Sequence, residues 1–159
     1  MKRILTIWAT LGAAYVVFET LFRGDSHPSM FVVGGLCGVL VGTINQAPRF
    51  YRAPVIVQSV IGAVIVLAVE FVVSGCVLNL WLGLGVWDYS NQPGNVLGQI
   101  CPAFGLLWFF IMPLAIWAED TTRYLIWAYD CAVYHSQEAP PTIAPYSLKS
   151  VYGDFICGR

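Results

Sequence analysis

Apolar residues occur in four long runs along this chain, separated by short segments that hold most of its polar residues, glycines and prolines. The runs cover residues 4–22, residues 30–44, a stretch that begins at residue 55, and residues 97–118. A helix that crosses a bilayer needs about 20 mostly apolar residues, within a range of roughly 17–25. The pattern therefore predicts four membrane-spanning helices.

The third run is longer than one crossing, since it stays largely apolar from residue 55 to residue 87. Two geometries fit it. One is a long tilted helix that projects outward, and the other is a span that ends near Gly75 and continues as an interfacial or partly re-entrant segment. Trp81 and Trp87 suit the headgroup level of a membrane, and Asn79 weakens a regular helix. We favour the second geometry.

Composition and charge agree with a membrane protein. The chain has 159 residues, of which 58% are hydrophobic and only 11% charged, whereas about a quarter of a soluble domain is charged. Most basic residues fall on one side of the predicted topology, together with both termini. Because cytoplasmic loops carry an excess of lysine and arginine, we expect both termini to be cytoplasmic. No basic patch indicates nucleic-acid binding. The opposite side holds only Arg23, and the basic residues assigned to the inside are Lys2, Arg3, Arg49, Arg52, Arg123, Lys149 and Arg159.

These observations predict an all-α membrane protein that is a four-transmembrane-helix bundle, N-in and C-in. We expect an interfacial or re-entrant segment between spans three and four, and a short cytoplasmic tail. Residues 1–118 form the predicted transmembrane domain, and residues 119–159 form an amphipathic helix and tail. Asp120 followed by two threonines is a helix start, and Pro140 with Pro141 ends that helix.

Four charged side chains gather on the outer side of this topology: Glu19, Arg23, Glu70 and Asp88. Charged groups inside a membrane cost about 2.5–3.5 kcal/mol on insertion scales and by default indicate a functional site with a partner. Two interpretations are open. The four residues form a shared ligand or ion site, or Glu19 and Arg23 only pair four residues apart on one helix face while Glu70 reaches toward the headgroups.

Glycines recur at every fourth position of the second run, at Gly34, Gly38 and Gly42. They line one face of a helix and let another backbone approach closely. The pattern predicts either a contact between copies in a homo-oligomer or packing within the chain's own bundle.

Motifs for metal, cofactor or catalytic chemistry are missing from the sequence. The five cysteines form no C-x-x-C pair and the chain has two histidines, so we expect no metal site and no cofactor. Whether Cys76 and Cys101 pair is left open. No nucleotide-binding loop and no hydrolase signature occurs, and we expect no catalytic residues and no enzymatic activity.

A distinctive motif follows Glu19, Arg23 and Glu70 along the chain, and it consists of Trp87, Asp88, Tyr89, Ser90, Gln99 and Cys101. Through these residues, over about residues 15–110, the chain resembles the ABC-transporter type IV (CmpB-like) family of bacterial membrane proteins, and the motif is the most specific part of the resemblance. The resemblance implies a multi-pass protein of the bacterial cell (inner) membrane with a role in transport.

Two functions fit these expectations. The first is a permease or channel-like transport component with an outer-side polar site. The alternative is an oligomeric membrane scaffold or sensor that recruits a cytosolic protein partner through residues 119–159, for example in stress responses or phage defence. In both cases the lipid bilayer and further copies of the chain are the expected partners.

Overall fold

The computed structural model describes residues 2–143 and 145–158, apart from the side chain of Ser74, and Arg159 of the basic group lies outside the described residues. Every regular element within this part is helical, which confirms the predicted all-α class. The elements are α1 (Lys2–Arg23), α2 (Ser29–Gln46), α3 (Val55–Val69), a π-helical continuation of α3 (Glu70–Trp81), α4 (Pro102–Tyr134) and α5 (Leu148–Cys157).

Within the described part of the chain, four helices are long and apolar enough to cross a membrane: α1, α2, α3 with its π-helical continuation, and α4. They contain 22, 18, 27 and 33 residues. At a rise of 1.5 Å per residue, α2 is about 27 Å long and α4 about 50 Å, whereas the hydrocarbon layer is about 30 Å thick. Helix α4 is therefore long enough to extend well beyond a bilayer.

The glycine face of α2 is filled from within the same chain. A Cβ atom added at Gly34 or Gly38 would overlap the side chains of Tyr15 or Leu11 on α1, and one at Gly42 would overlap Glu119 on α4. Glycine lets helices approach this closely because it has no side chain. Of the two interpretations of this face, the structure supports packing inside the bundle.

The third span does not end near Gly75, which corrects the geometry favoured from the sequence. The helix continues through Gly75 to Trp81 in the wider π form. Gly75 is needed for close packing, since a Cβ atom there would lie 2.8 Å from the Cβ of Gln99. The non-helical connection to α4 begins after Trp81 and ends at Cys101.

Helix α4 is continuous across the predicted boundary at residue 118. The sequence predicts a new helix from Asp120, but α4 runs from Pro102 to Tyr134 and contains Pro113. Within the helix Glu119 pairs with Arg123, and Asp120 accepts hydrogen bonds from Asn45 and Tyr146. It ends at His135, which adopts a positive φ of 51°.

The C-terminal segment contains a further helix that the sequence analysis did not identify. Ser147 caps α5, and its hydroxyl oxygen accepts a hydrogen bond from the Ser150 amide at 3.1 Å. Phe155 is buried, with its ring centroid 5.1 Å from that of Phe109 on α4. The tail therefore packs against α4 at a level that falls within the predicted fourth span.

Candidate functional site

Asn79 in the π-helical segment organises the connection between the third helix and α4. Its amide nitrogen donates to the Trp87 carbonyl at 2.9 Å and to Gln99 Oε1 at 2.7 Å. Its side-chain oxygen accepts from the Val86 amide at 2.7 Å. The Asn79 side chain thus bonds to Trp87 and to Gln99, which lie near the two ends of the motif.

The motif residues hold the same connection together. The Trp87 indole is buried and donates to the Gln99 carbonyl at 2.9 Å. The Tyr89 amide donates to the Gly98 carbonyl at 2.7 Å. The Tyr89 ring stacks on Phe104 of α4 at 4.4 Å, and burial raises the pKa of its hydroxyl. These contacts give Trp87, Tyr89 and Gln99 a structural role, and Cys101 is buried where the connection meets α4.

Asp88 forms a local turn within the connection. Its carboxylate is exposed and accepts hydrogen bonds from the Ser90 hydroxyl at 2.5 Å and the Ser90 amide at 2.8 Å. These bonds lower the pKa of Asp88. Gly98 closes over them with a φ of 68°, and a Cβ atom there would lie 2.6 Å from the Ser90 hydroxyl oxygen.

Glu19 and Arg23 form an ion pair at the end of α1, with 2.9 Å between Oε1 and Nη1. The other Glu19 oxygen accepts from the Ser26 hydroxyl at 2.5 Å. Glu19 is buried, whereas the Arg23 side chain is 43% exposed. The guanidinium also donates to the Val86 carbonyl at 3.4 Å. Arg23 therefore links the ion pair to the connection that carries the motif.

Glu70 is buried at the start of the π-helical segment, with only 4% of its surface exposed. Its Oε1 accepts from the Trp108 indole at 2.9 Å, whereas Oε2 has no hydrogen-bond partner among the described residues. A buried acceptor without a partner is costly, by about 1–3 kcal/mol. Oε2 of Glu70 is therefore an unused acceptor among the described residues.

A cavity of about 60 Å³ joins Glu19, Arg23 and Glu70, and the rings of Tyr89 and Trp108 help to enclose it. Three of the four charged residues singled out in the sequence thus meet around one space. Asp88 does not line this cavity. It lies with Arg23 on an adjacent open hollow of about 460 Å³.

A second cluster of buried charged groups lies around the middle of α4, and the sequence analysis missed it. Glu119 is fully buried and pairs with Arg123 one turn later. The pair repeats the spacing of Glu19 and Arg23, and this repetition is the signal by which the cluster could have been found. The sequence analysis treated Glu119 only as the end of a span.

Asp120 is the centre of this inner cluster. The Asn45 amide nitrogen donates to both of its carboxylate oxygens, at 3.0 and 2.8 Å. The Tyr146 hydroxyl donates to the carboxylate at 2.6 Å, and burial together with the adjacent Asp120 charge raises the pKa of Tyr146. A residue of α2, one of α4 and one of the tail thus meet at one carboxylate.

The described residues contain no group of three or more histidine, cysteine or acidic side chains arranged to hold a metal ion. All five cysteines are free thiols, including Cys76 and Cys101.

A family model described as "Putative ABC-transporter type IV" matches residues 5–132 of the chain. No curated protein and no solved structure is significantly similar to it. The match covers most of the chain, from α1 nearly to the end of α4, and the chain belongs to this family. The matched range extends in both directions beyond residues 15–110, over which the sequence analysis found the resemblance, and it stops before α5. Together with the four span-length helices, it identifies a membrane protein related to transport.

Proposed function

We propose that this chain is a multi-pass protein of the bacterial inner membrane and a component of a transport system, whose outer-side cavity binds a small ion. The observation that carries the proposal is Glu70. A carboxyl group buried in an apolar span, with one oxygen that has no partner among the described residues, is costly in a membrane and indicates a site.

The size and charge of the cavity favour a small cation or a proton. A volume of about 60 Å³ corresponds to roughly two water molecules, each of which occupies about 30 Å³ in the liquid. Glu19 and Glu70 supply two acidic groups and Arg23 one basic group. Because Arg23 already pairs with Glu19, Glu70 is the group that lacks a counter-charge.

The distribution of basic residues supports the orientation of this site. Lys2 and Arg3 begin α1, while Glu19 and Arg23 end it. Under the positive-inside rule the first two residues are cytoplasmic. The cavity then lies on the outer side of the inner membrane, and the N-terminus lies on the cytoplasmic side.

The contacts of the tail favour transport over the alternative of a scaffold that recruits a cytosolic protein. Such a scaffold needs the tail to be available, but Phe155 packs against Phe109 and Tyr146 bonds to Asp120. Assembly into a homo-oligomer stays a prediction. It would have to use surfaces other than the glycine face of α2.

Charge displacement on a solid-supported membrane tests the proposal, because it detects ion binding even when full transport needs a further subunit. Proteoliposomes adsorbed on the sensor receive jumps of sodium or proton concentration. We expect a transient current from the wild-type protein and its loss in Glu70→Gln, which keeps the side-chain shape and removes the charge. Asp88→Asn is the matched control and should retain the current. A wild-type protein that gives no current with either ion contradicts the proposal.

A further inference from the structure

The inner cluster borders a cavity that the proposed outer site does not use. This cavity is open on one side, has a volume of about 180 Å³ and lies between α2, α3, α4 and the tail. Its polar lining includes Asn45, Asp120, Tyr146 and Asp154, and its apolar lining includes Val55 and Val151. None of the described residues that line it is basic.

Asn45 lines this cavity and carries an unused acceptor that neighbouring atoms cover. The residue is only 4% exposed, and its Oδ1 atom has no hydrogen-bond partner among the described residues. Its orientation is fixed by chemistry, since the amide nitrogen donates to both oxygens of Asp120. Turning the amide over would point its oxygen at a carboxylate, and both groups would then be acceptors.

Asp120 also retains capacity to accept a hydrogen bond. Its carboxylate accepts two bonds from Asn45 and one from the Tyr146 hydroxyl, whereas an ionised carboxylate offers about four lone-pair sites. The cavity thus presents buried acceptors and acidic groups. A ligand that complements it has to donate hydrogen bonds and carry positive charge.

The volume of the cavity and its apolar lining indicate which kind of cation fits. The volume of about 180 Å³ is roughly six times the 30 Å³ of a water molecule in the liquid, and Val55, Ile116 and Val151 provide apolar surface. Ligand sites in proteins commonly combine apolar walls with a few polar groups that fix orientation. A small organic ammonium ion fits this combination, with its charged end at Asn45 and Asp120.

We propose that this inner cavity binds a small primary ammonium ion, either as a free amine or as the amine of a lipid headgroup. The ammonium group donates to Asn45 Oδ1 and to the Asp120 carboxylate, and the alkyl part contacts the valine and isoleucine side chains.

Equilibrium dialysis of radiolabelled methylammonium against the purified full-length chain in a non-ionic detergent tests this proposal. We expect saturable binding of one ion per chain. Propylammonium should displace the label at a concentration about 16-fold lower than unlabelled methylammonium. Each of its two added methylenes should raise the affinity about fourfold when it is buried. Propanol should not displace it. Absence of saturable binding, or displacement by sodium at the same concentration as propylammonium, overturns the proposal.

A second displacement experiment, with lipids, distinguishes a free amine from the amine of a lipid headgroup. Mixed micelles that contain phosphatidylethanolamine should displace methylammonium if a headgroup is the ligand, whereas phosphatidylcholine should not. If only free propylammonium displaces the label, the ligand is a soluble amine. If phosphatidylcholine displaces it equally well, the cavity does not recognise a primary ammonium and the proposal fails.

Two variants link the binding to these residues. Asp120→Asn should weaken methylammonium binding at least tenfold, while Asp88→Asn, which removes an acid outside this cavity, should leave it unchanged. Because Asp120→Asn also perturbs the contact with Tyr146, Ser150→Lys provides an independent test. Ser150 is exposed and lines the cavity, so a tethered ammonium should compete with the probe. Gln137→Lys, with the same charge change elsewhere, should not. Unchanged binding in Ser150→Lys overturns the proposal.

Discussion

The carboxyl group of Glu119 packs directly against Gly42, where a single methyl group would overlap it. Glu119 lies in the middle of α4, is fully buried and pairs with Arg123. The third glycine of the α2 face therefore makes room for a buried charged group, whereas Gly34 and Gly38 make room for the side chains of Tyr15 and Leu11.

Replacing Gly42 by alanine should destabilise the protein, because the new methyl group displaces the Glu119 carboxyl from its site. We expect a loss of about 1–3 kcal/mol, the usual cost of overpacking, measured as unfolding of the purified protein in detergent. Gly153→Ala is the control, since a Cβ atom there meets nothing within 4 Å. That change should stabilise α5 by about 0.5–1 kcal/mol. Equal stability of the two variants would contradict the packing described here.

Three of the four spans could be predicted from the sequence directly, because their apolar runs reach the length of a bilayer crossing. The second run, residues 30–44, reaches that length only with the polar pair Asn45 and Gln46. The link between Glu19, Arg23 and Glu70 could also be predicted, since topology alone brings the ends of α1 and of the third helix to one side. Asp88 was assigned to the same site, but its Ser90 partner is two residues away and satisfies it locally.

The inner cluster could not be predicted in the same way, because Asn45, Asp120 and Tyr146 come from three distant segments. Their meeting depends on the tail turning back onto α4, and hydropathy does not show this. The end of the third helix was misplaced for a related reason. Glycine at position 75 weakens an isolated helix, but the packing of Gln99 against it requires a glycine there.

Leu11 and Gly38 should show energetic coupling if the glycine face packs within the chain. Gly38→Ala is expected to cost about 1–3 kcal/mol, because the new methyl group overlaps Leu11. In a Leu11→Gly background, which also removes the Leu11 Cβ that lies 2.6 Å from the added methyl carbon, the same change should cost at least 1 kcal/mol less, within the range seen for residues in contact. A double-mutant cycle from unfolding in detergent measures this coupling. Simple additivity, with loss of an oligomer in Gly38→Ala, would instead assign the face to contacts between copies.

Asn79→Ala should loosen the connection between the third helix and α4. It removes three hydrogen bonds, to Trp87, Gln99 and Val86. At roughly 1 kcal/mol each, we expect a loss of about 2–3 kcal/mol and faster proteolysis within residues 82–101. Limited proteolysis of the purified protein measures this. Asn91→Ala, at an exposed position of the same connection, serves as the control. Equal cleavage rates for the two variants would show that Asn79 does not hold the connection.

Ser90→Ala should raise the pKa of Asp88, because the Ser90 hydroxyl donates to its carboxylate and lowers that pKa. The effect should be partial, since the amide of residue 90 still donates. A pKa lowered by folding means that ionised Asp88 stabilises the folded state above its unfolded pKa. This contribution is lost as the pH falls through the folded pKa. Carboxyl-carbon NMR of labelled aspartate follows the titration, with Ser136→Ala as a control. No change in the Asp88 midpoint would rule out the hydrogen bond from the Ser90 hydroxyl.

Epitope tags inserted after Asn91 and after Gln137 should lie on opposite sides of the membrane. Both positions are exposed, and Gln137 follows the end of α4 without interrupting the contacts of α5. Asn91 lies in the connection beside the outer cavity, whereas Gln137 lies near Arg3, whose Nε contacts Asp130 at 2.7 Å. The positive-inside rule puts Arg3 in the cytoplasm. Antibody binding to spheroplasts should therefore detect the tag at Asn91 before permeabilisation and the tag at Gln137 only afterwards. The reverse pattern would mean that the outer cavity faces the cytoplasm. Detection of both tags on one side would mean that α4 does not cross the membrane.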